Sequence, residues 1–259
     1  MSELEALWLG IVQGLTEFFP VSSSGHLVMF QTLLGVHEDG LLFDVSVHVA
    51  TVAAILLFYQ ARVRELMMGC LRGDPESFRY AGKLVVATLP AVAVGFGARE
   101  LIAAQFSSPL LVAVLLIVTG GIVWTTRFTR PRDGASEPSW PAALGIGVAQ
   151  AFAILPGISR SGSTVAAALA LGVAPAAAAE FSFLLGVIAI SGAAVLVLPD
   201  LRHAQPEALT AVGVGSIAAL VSGGLAIWLF VRMLASNTFH LFAWWAWGAG
   251  VAFLVWQLI

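Results

Sequence analysis

Charge is the first property that this sequence has little of. Only 10% of its 259 residues are charged, whereas 59% are hydrophobic and the mean hydropathy is +0.94. Soluble domains are about 45–50% apolar, so this composition indicates an integral membrane protein. The net charge of −3 supplies no basic stripe for phosphate backbones, which excludes nucleic acid as a partner. Cysteine is nearly absent as well, and the single Cys70 cannot form an intramolecular disulfide.

Long apolar runs are what the chain does have. A helix needs about 17–25 apolar residues to cross the hydrocarbon core. Windows of this kind predict six transmembrane helices, near residues 42–60, 80–98, 108–126, 175–199, 208–231 and 240–258. The N-terminal stretch MSELEALWLG lacks the basic region and the cleavage site of a signal peptide, so we expect the first segment to remain in the mature protein.

The basic residues are unevenly distributed, and this predicts an orientation. Nine of the twelve flank connections on one side of the predicted spans: Arg62, Arg64, Arg72, Arg79, Lys83, Arg127, Arg130, Arg132 and Arg232. The positive-inside rule places these connections in the cytoplasm and leaves Arg99 and Arg202 outside. The first span then runs inward, and the C-terminus lies outside.

Two further apolar stretches, 4–36 and 140–172, are interrupted by Pro, Gly and Ser. Backbone that leaves a helix at membrane depth must be buried in protein or line a wet cavity. We therefore interpret both stretches as re-entrant helical hairpins. The orientation predicts that the first enters from outside and the second from the cytoplasm.

The two interrupted stretches also resemble each other. Sliding the chain by 137 positions aligns GIVQGLTEFFPVSSSGHL (10–27) with GVAQAFAILPGISRSGST (147–164) without a gap, with five identities. Three predicted spans follow each stretch, and the two stretches start from opposite sides. This pattern is typical of an inverted-topology repeat, whose broken helices meet near the membrane midplane. The sequence thus predicts one all-α membrane domain, 1–259, made of repeats 1–130 and 140–259. The alternative is that the matched small residues only pack helices together.

Polar residues concentrate in these hairpins and suggest an anion site. Glu17 and Arg160 are ionisable residues at membrane depth, where such groups normally face a pathway, a ligand or a partner. A simple ion pair between them is the alternative. Hydroxyls surround both, where each helix begins and free N–H groups can receive a phosphate: Ser22, Ser23, Ser24, Ser159, Ser161, Ser163 and Thr164.

Proton transfer is the second capacity of the first hairpin. Glu17 and His26 are candidates for it, and His26 is singled out because it lies beside the serine run. The other histidines, His37, His48, His203 and His240, are interpreted as structural. Asp44 and Glu180 begin predicted spans, and we favour a helix N-terminal role for each over membership of the site.

The stretches Gln13-Gly-Leu-Thr-Glu17-Phe-Phe-Pro20-Val-Ser-Ser-Ser-Gly-His26 and Pro156-Gly-Ile-Ser-Arg-Ser-Gly-Ser-Thr164 resemble the two signature motifs of the bacterial undecaprenyl pyrophosphate phosphatases, or bacitracin-resistance proteins. The resemblance implies hydrolysis of undecaprenyl pyrophosphate to undecaprenyl phosphate and inorganic phosphate, which recycles the lipid carrier for peptidoglycan synthesis. It implies a divalent cation, Mg²⁺ or Ca²⁺, and a multi-pass protein of the inner membrane, surrounded by membrane lipids, with its active site facing outward. The oligomeric state stays open, a homodimer included.

Carried over by motif, the resemblance implies a catalytic group and a set of substrate-binding residues. The catalytic group is Glu17, Ser23, His26 and Arg160. The substrate-binding residues are Gln13, Ser22, Ser24, Ser159, Ser161 and Thr164. Gln13 departs from the family, which has an acidic residue there, so a two-carboxylate scheme is in doubt for this chain.

Alternatives remain for the mechanism and for the function. Ser23 could attack the terminal phosphorus, or water could attack directly; Glu17 could move a proton or hold the metal ion. Inverted repeats with broken helices also occur in secondary transporters, so a carrier or flippase of an anionic lipid is the rival function. The third hypothesis is that the protein is a structural membrane subunit, but this would not explain why the hairpins are polar.

Overall fold

The computed structural model describes residues 1–34, 40–106, 108–129, 134–197 and 209–258, and within these ranges all regular structure is helical apart from one isolated bridge between Ala135 and Val173. Arg130, Arg132, Arg202, His37 and His203, used above, lie outside the described residues. The first half contains α1 (Glu3–Phe18), α2 (Ser23–Leu34), α3 (Gly40–Phe58), α4 (Gln60–Leu71), α5 (Pro75–Gly97), α6 (Arg99–Phe106) and α7 (Pro109–Thr125). The second half contains α8 (Trp140–Phe152), α9 (Arg160–Ala170), α10 (Pro175–Val197), α11 (Leu209–Ala235), a 3₁₀ turn (Phe239–Leu241) and α12 (Phe242–Leu258).

Each of the six predicted spans coincides with a helix, but not all are long enough to cross a membrane alone. Four helical stretches are long and apolar enough: Pro75–Gly97, Pro175–Leu196, Leu209–Ala235 and Phe239–Leu258. A fifth candidate is α3 joined to α4, which is bent by 80° between them. Helix α7 is apolar but has only 17 residues. The protein is therefore a multi-pass membrane protein with four to five candidate spans among its described residues.

The two interrupted stretches are both pairs of short helices. Helix α1 begins at a capping box, in which the Ser2 side chain and the Glu5 side chain satisfy each other's backbone N–H groups, and it ends at Phe18, just before Pro20. Helix α8 begins at Ser139, whose side chain accepts a hydrogen bond from the N–H of Ala142. We call α1 with α2 the first helix pair, and α8 with α9 the second.

Each helix pair packs its first helix against the opposite half of the chain. Helix α1 lies along α11, and α8 lies along α5. Both contacts need glycine: a Cβ on Gly10 would collide with the backbone carbonyl of Gly215, and a Cβ on Gly147 would collide with that of Ala87. Gly10 and Gly147 correspond under the 137-residue offset. Close backbone approach of this kind is how small residues drive helix association in membranes.

Ion pairs and hydrogen bonds also connect the two halves of the chain. Glu180 on α10 accepts hydrogen bonds of 3.0 Å from Arg62 Nε and from the Tyr80 hydroxyl. Glu137, in the connection before α8, is bonded by Lys83 Nζ at 2.9 Å. Burial works to raise the pKa of Glu137, but the hydrogen bond and charge of Lys83, together with Arg79, hold that pKa below its usual value. Glu180 thus belongs to this inter-half network.

Candidate active site

The two helix pairs meet at a cavity of about 410 Å³. Helices α3 and α10 close its sides, so all four chain segments contribute to one polar space. The polar and charged side chains that line it are Thr16, Glu17, Ser22, Ser23, Ser24, Asp44, His48, Ser159 and Arg160. Apart from Thr16, Asp44 and His48, each is a residue on which the sequence analysis concentrated.

Glu17 is the centre of the polar contacts in this cavity. Its Oε1 accepts a 2.6 Å hydrogen bond from Arg160 Nη2, which joins the first helix pair to the second. Its Oε2 accepts one of 2.7 Å from the Ser23 hydroxyl and one of 3.1 Å from Gln13 Nε2. The residue is only 7% exposed, so these partners replace water around a charged carboxylate. Glu17 and Arg160 therefore form the ion pair that was the alternative interpretation, and both also line the cavity.

Arg160 is held from its other side by the second half. It is the first residue of α9, and its Nη1 donates a 3.2 Å hydrogen bond to the carbonyl of Ser182 on α10. The Ser182 hydroxyl lies 2.6 Å from that of Thr164. Gly186 provides the space for the guanidinium, since a Cβ there would collide with it. The planar group is thereby fixed with one edge towards Glu17 and the cavity.

The three serines of the first pair differ in the contacts of their hydroxyls: some hold the start of the helix, and one contacts Glu17. Ser22 has φ of +70°, a left-handed conformation that is costly for a residue with a side chain, and its Oγ accepts a hydrogen bond of 3.3 Å from the N–H of Gly25. Ser24 Oγ lies 3.3 Å from Ser22 Oγ. Ser23 alone is bonded to Glu17. A single serine hydroxyl is therefore placed beside the carboxylate.

The second pair repeats the capping arrangement. Ser159 Oγ accepts a 3.0 Å hydrogen bond from the N–H of Gly162 and lies 3.3 Å from Ser161 Oγ. Ser161 and Thr164 are buried, and their hydroxyls bond to backbone and to Ser182 behind Arg160. Of the three substrate-binding residues predicted in this pair, only Ser159 lines the cavity, while Ser161 and Thr164 support its wall.

His26 is placed away from the described cavity wall. It is 1% exposed, its Nδ1 lies 2.9 Å from the carbonyl of Ser22, and its Nε2 accepts a 3.0 Å hydrogen bond from Trp245 Nε1 on α12. The indole can only donate, so Nδ1 carries the proton and bonds to Ser22. Both ring nitrogens are engaged in this arrangement. The catalytic role of His26 stays a prediction.

His48, interpreted from the sequence as structural, lines the cavity instead. Its Nε2 is 3.8 Å from Glu17 Oε2, and its Nδ1 is 2.6 Å from the carbonyl of Asp44. Asp44 lines the same cavity one helical turn earlier on α3. The signal in the sequence was the Asp-x-x-x-His spacing, which puts both side chains on one helix face. Nothing local distinguished that spacing from an ordinary helix surface.

The expected divalent cation finds a poor set of protein ligands here. Mg²⁺ and Ca²⁺ take oxygen ligands. Among the described residues, no group of three or more His, Cys, Asp or Glu could share one ion. Both oxygens of Glu17, the candidate metal ligand, already accept hydrogen bonds. The described side chains therefore do not fit a cage that holds a cation by protein atoms alone.

Comparison with known proteins gives consistent matches over nearly the whole chain. The family model described as bacitracin resistance protein BacA matches residues 6–252. A protein of Desulfosudis oleivorans is 40% identical over 94% of this chain and 94% of its own length. One of Desulfatibacillum aliphaticivorans is 37% identical over 98% and 99%, and one of Rhizorhabdus wittichii is 35% identical over 100% and 98%. Each of the three bears the name undecaprenyl-diphosphatase.

Proposed function

This chain belongs to the family of the bacitracin resistance protein BacA, and from that membership we propose that it is a membrane phosphatase that hydrolyses undecaprenyl pyrophosphate to undecaprenyl phosphate and inorganic phosphate. The observation that carries the proposal is the contact of Glu17 with both Ser23 and Arg160 across the two helix pairs. A base, a hydroxyl and a guanidinium on one cavity wall can supply the proton transfer, the nucleophile and the charge stabilisation of phosphoryl transfer.

Arg160 is the group that binds the negatively charged diphosphate of the substrate. Its fork can bind two phosphate oxygens at once, and the N–H groups at the starts of α2 and α9 add positive dipole ends. A bound diphosphate competes with Glu17 for the guanidinium. Stabilising charge on the transferring phosphoryl group is the main task in this class of reaction.

Ser23 is the proposed nucleophile. Its hydroxyl already donates to Glu17 Oε2 at 2.7 Å, so the proton passes to that carboxylate as Oγ attacks the terminal phosphorus. The bond to the bridging oxygen breaks, and undecaprenyl phosphate leaves. Glu17 returns this proton to the departing undecaprenyl phosphate. Water then attacks the phosphoserine and gives a proton to Glu17, which passes it to Ser23 Oγ as the Oγ–P bond breaks and inorganic phosphate leaves.

The decisive experiment uses substrate labelled in its terminal phosphate. Acid-quenched protein should carry the label on Ser23, and Ser23→Ala should abolish turnover, whereas Ser24→Ala should mainly weaken binding. Hydrolysis by Ser23→Ala near the original rate would exclude the covalent route and leave water as the attacking group. Release of phosphate in detergent, where no two compartments exist, separates the enzyme from the rival carrier, which would release none.

We further propose six membrane spans with both helix pairs re-entrant, in the inner membrane, and a site open to the outer face. The distribution of basic residues supports this orientation. In a Cys70→Ala background, Glu3→Cys should react with an impermeant maleimide in intact cells, and Arg72→Cys only after lysis. Both positions are exposed. If both cysteines reacted from the same side of the membrane, the proposed inverted-topology repeat would be wrong.

The divalent cation is a separate requirement, and no step above passes through it. Chelation by EDTA should lower turnover, and Mg²⁺ or Ca²⁺ should restore it. The thermal midpoint of the substrate-free protein should not change, because the described side chains do not form a cation cage. A large thermal shift on adding the cation would show a protein site that the contacts of Glu17 do not suggest.

A further inference from the structure

A second hollow, about 580 Å³ in volume, lies at the other end of α3, and its lining is apolar throughout apart from Cys70. We call it the apolar groove. Helices α3, α4, α5 and α10 form its walls, with Leu56, Leu66, Met67, Phe78, Leu184 and Val187 among the lining side chains. The 80° bend after α3 brings α4 across this end of the helix. Arg160, Glu17 and the serine run take no part in this groove.

The groove and the active-site cavity share two helices. On α3, Val45 lines the cavity and Leu56 lines the groove. Val49 lies between them on the same side of the helix, since residues three, four and seven apart share a face. Val49 is 46% exposed and Leu56 is 39% exposed, so this edge of α3 is open. The distance along the axis from His48 to Leu56 is about 12 Å, well within one membrane thickness.

Helix α10 provides the matching edge. Ile190 and Ala194 line the cavity, and Val187 lines the groove. These three residues recur at intervals of three and four, so they too lie on one side of their helix. Helices α3 and α10 pack together, and each carries an apolar strip that runs from the cavity to the groove.

We propose that the apolar groove binds the isoprenoid chain of the same lipid whose diphosphate occupies the active-site cavity. The inference rests on the proposed function, because it takes its occupant from the substrate. An eleven-unit isoprenoid chain is long, flexible and entirely apolar, which suits a groove without polar partners. Once the diphosphate is bound, the attached chain is present at high local concentration beside the groove, so it outcompetes free membrane lipid there.

The geometry also predicts selectivity for chain length. A diphosphate with a short chain fills the cavity but ends before the groove. A long chain gains the additional apolar contact, which lowers KM without changing the chemical step at Ser23. Met67 in the wall is unbranched and adaptable, as a site for a flexible chain requires.

The first test compares two substrates in mixed micelles. Val187→Trp should raise KM for undecaprenyl diphosphate about tenfold, a loss of roughly 1.4 kcal/mol of contact energy, with kcat unchanged. It should leave dimethylallyl diphosphate, with one isoprene unit, at its original KM. The matched control is Val221→Trp, at a 68% exposed position on α11 remote from the groove, which should change neither substrate. Equal effects of Val187→Trp on both substrates would contradict the proposal.

The second test needs no substitution in the groove, because Cys70 is the chain's single cysteine, is partly exposed and lines the groove. Undecaprenyl phosphate should slow alkylation of Cys70 by N-ethylmaleimide, whereas dimethylallyl phosphate and inorganic pyrophosphate should not. No protection by undecaprenyl phosphate, or equal protection by a phospholipid, would overturn the assignment. If undecaprenyl phosphate protected Cys70 in a protein that hydrolyses neither diphosphate, the proposed isoprenoid binding in the groove would stand and the proposed phosphatase function would be refuted.

Discussion

The first and second helix pairs share a scaffold and differ in the chemistry they carry. Ser22 and Ser159, equivalent under the 137-residue offset, each cap a helix by accepting from the N–H of the equivalent glycines Gly25 and Gly162. The residues around them have diverged. Glu17 corresponds to Ile154, Ser23 to Arg160, and His26 to Ser163. The base and the nucleophile lie in one pair and the anion clamp in the other, so neither pair alone contains the proposed site.

The two helix pairs also differ in the hydrogen bonds of their equivalent buried polar side chains. Gln13 donates to Glu17, but its counterpart Gln150 is 2% exposed, and neither of its side-chain polar atoms has a hydrogen-bond partner among the described residues. His26 has partners at both nitrogens, whereas the hydroxyl of its counterpart Ser163 has none within the described part of the chain. The second pair thus has polar residues at the two positions where the polar side chain of the first pair makes hydrogen bonds. Changing equivalent residues in the two pairs is therefore the way to test how far the division extends.

The largest effect is expected at Glu17. Glu17→Gln keeps the size of the side chain but replaces one acceptor oxygen with a donating NH2 group and removes the base and the charge, so kcat/KM should fall at least about 100-fold. The control is Ile154→Leu at the equivalent position of the second pair, which also lines the cavity and should stay near the original activity. A Glu17→Gln protein that retains most of its turnover in a phosphate-release assay would contradict the assignment of the catalytic base to the first pair.

Arg160 should come next. Arg160→Lys retains the charge but loses the planar fork, so turnover should fall at least about tenfold, equivalent to roughly 1.4 kcal/mol of transition-state stabilisation. Arg127→Lys, a change of the same kind outside the site, should have no such effect. Near-original kinetics in folded Arg160→Lys would show that charge alone suffices at this position.

Trp245 separates a structural His26 from a catalytic one. Trp245→Phe removes the donor to His26 Nε2 and leaves a buried acceptor without a partner, which should cost about 1–3 kcal/mol of stability. If the imidazole only holds the turn at Ser22, the thermal midpoint falls while kcat changes little. A fall in kcat without a fall in the midpoint would instead support the catalytic role predicted for His26. Ser163→Ala in the second pair should leave kcat unchanged and should not lower the midpoint, because its hydroxyl has no partner among the described residues.

The smallest effect is expected at Gln150, and its sign is reversed. Gln150→Leu removes two buried polar atoms without partners at similar side-chain volume, so the protein should gain about 1 kcal/mol and a slightly higher thermal midpoint, with turnover unchanged. The equivalent change Gln13→Leu should reduce turnover, because Glu17 loses a donor. A loss of activity in Gln150→Leu would show that the second glutamine has a function after all.

Sequence reasoning found what depends on local pattern. The helices of all six predicted spans and both interrupted stretches were readable from apolar runs and from Pro, Gly and Ser. The contact of Glu17 with Arg160 could be anticipated because both are charged residues in apolar surroundings. His48 was missed because its contact with Glu17 depends on how α3 packs beside α1. The His26–Trp245 bond joins residues 219 positions apart and has no signal in either segment. The bend at Tyr59 falls at the end of the predicted span 42–60, and helix α4 beyond it was not predicted from the sequence.

The Glu17–Arg160 pair also has a consequence for how the protein is made. The two residues are 143 positions apart in the chain, so Glu17 enters the bilayer well before its partner has been synthesised. An unpaired charge at the centre of a membrane helix costs about 2.5–3.5 kcal/mol on the scale of translocon insertion. The first helix pair is therefore not at its final free energy when it leaves the ribosome. We expect it to take up its buried position only after α9 has been inserted, so the active site forms late during biogenesis.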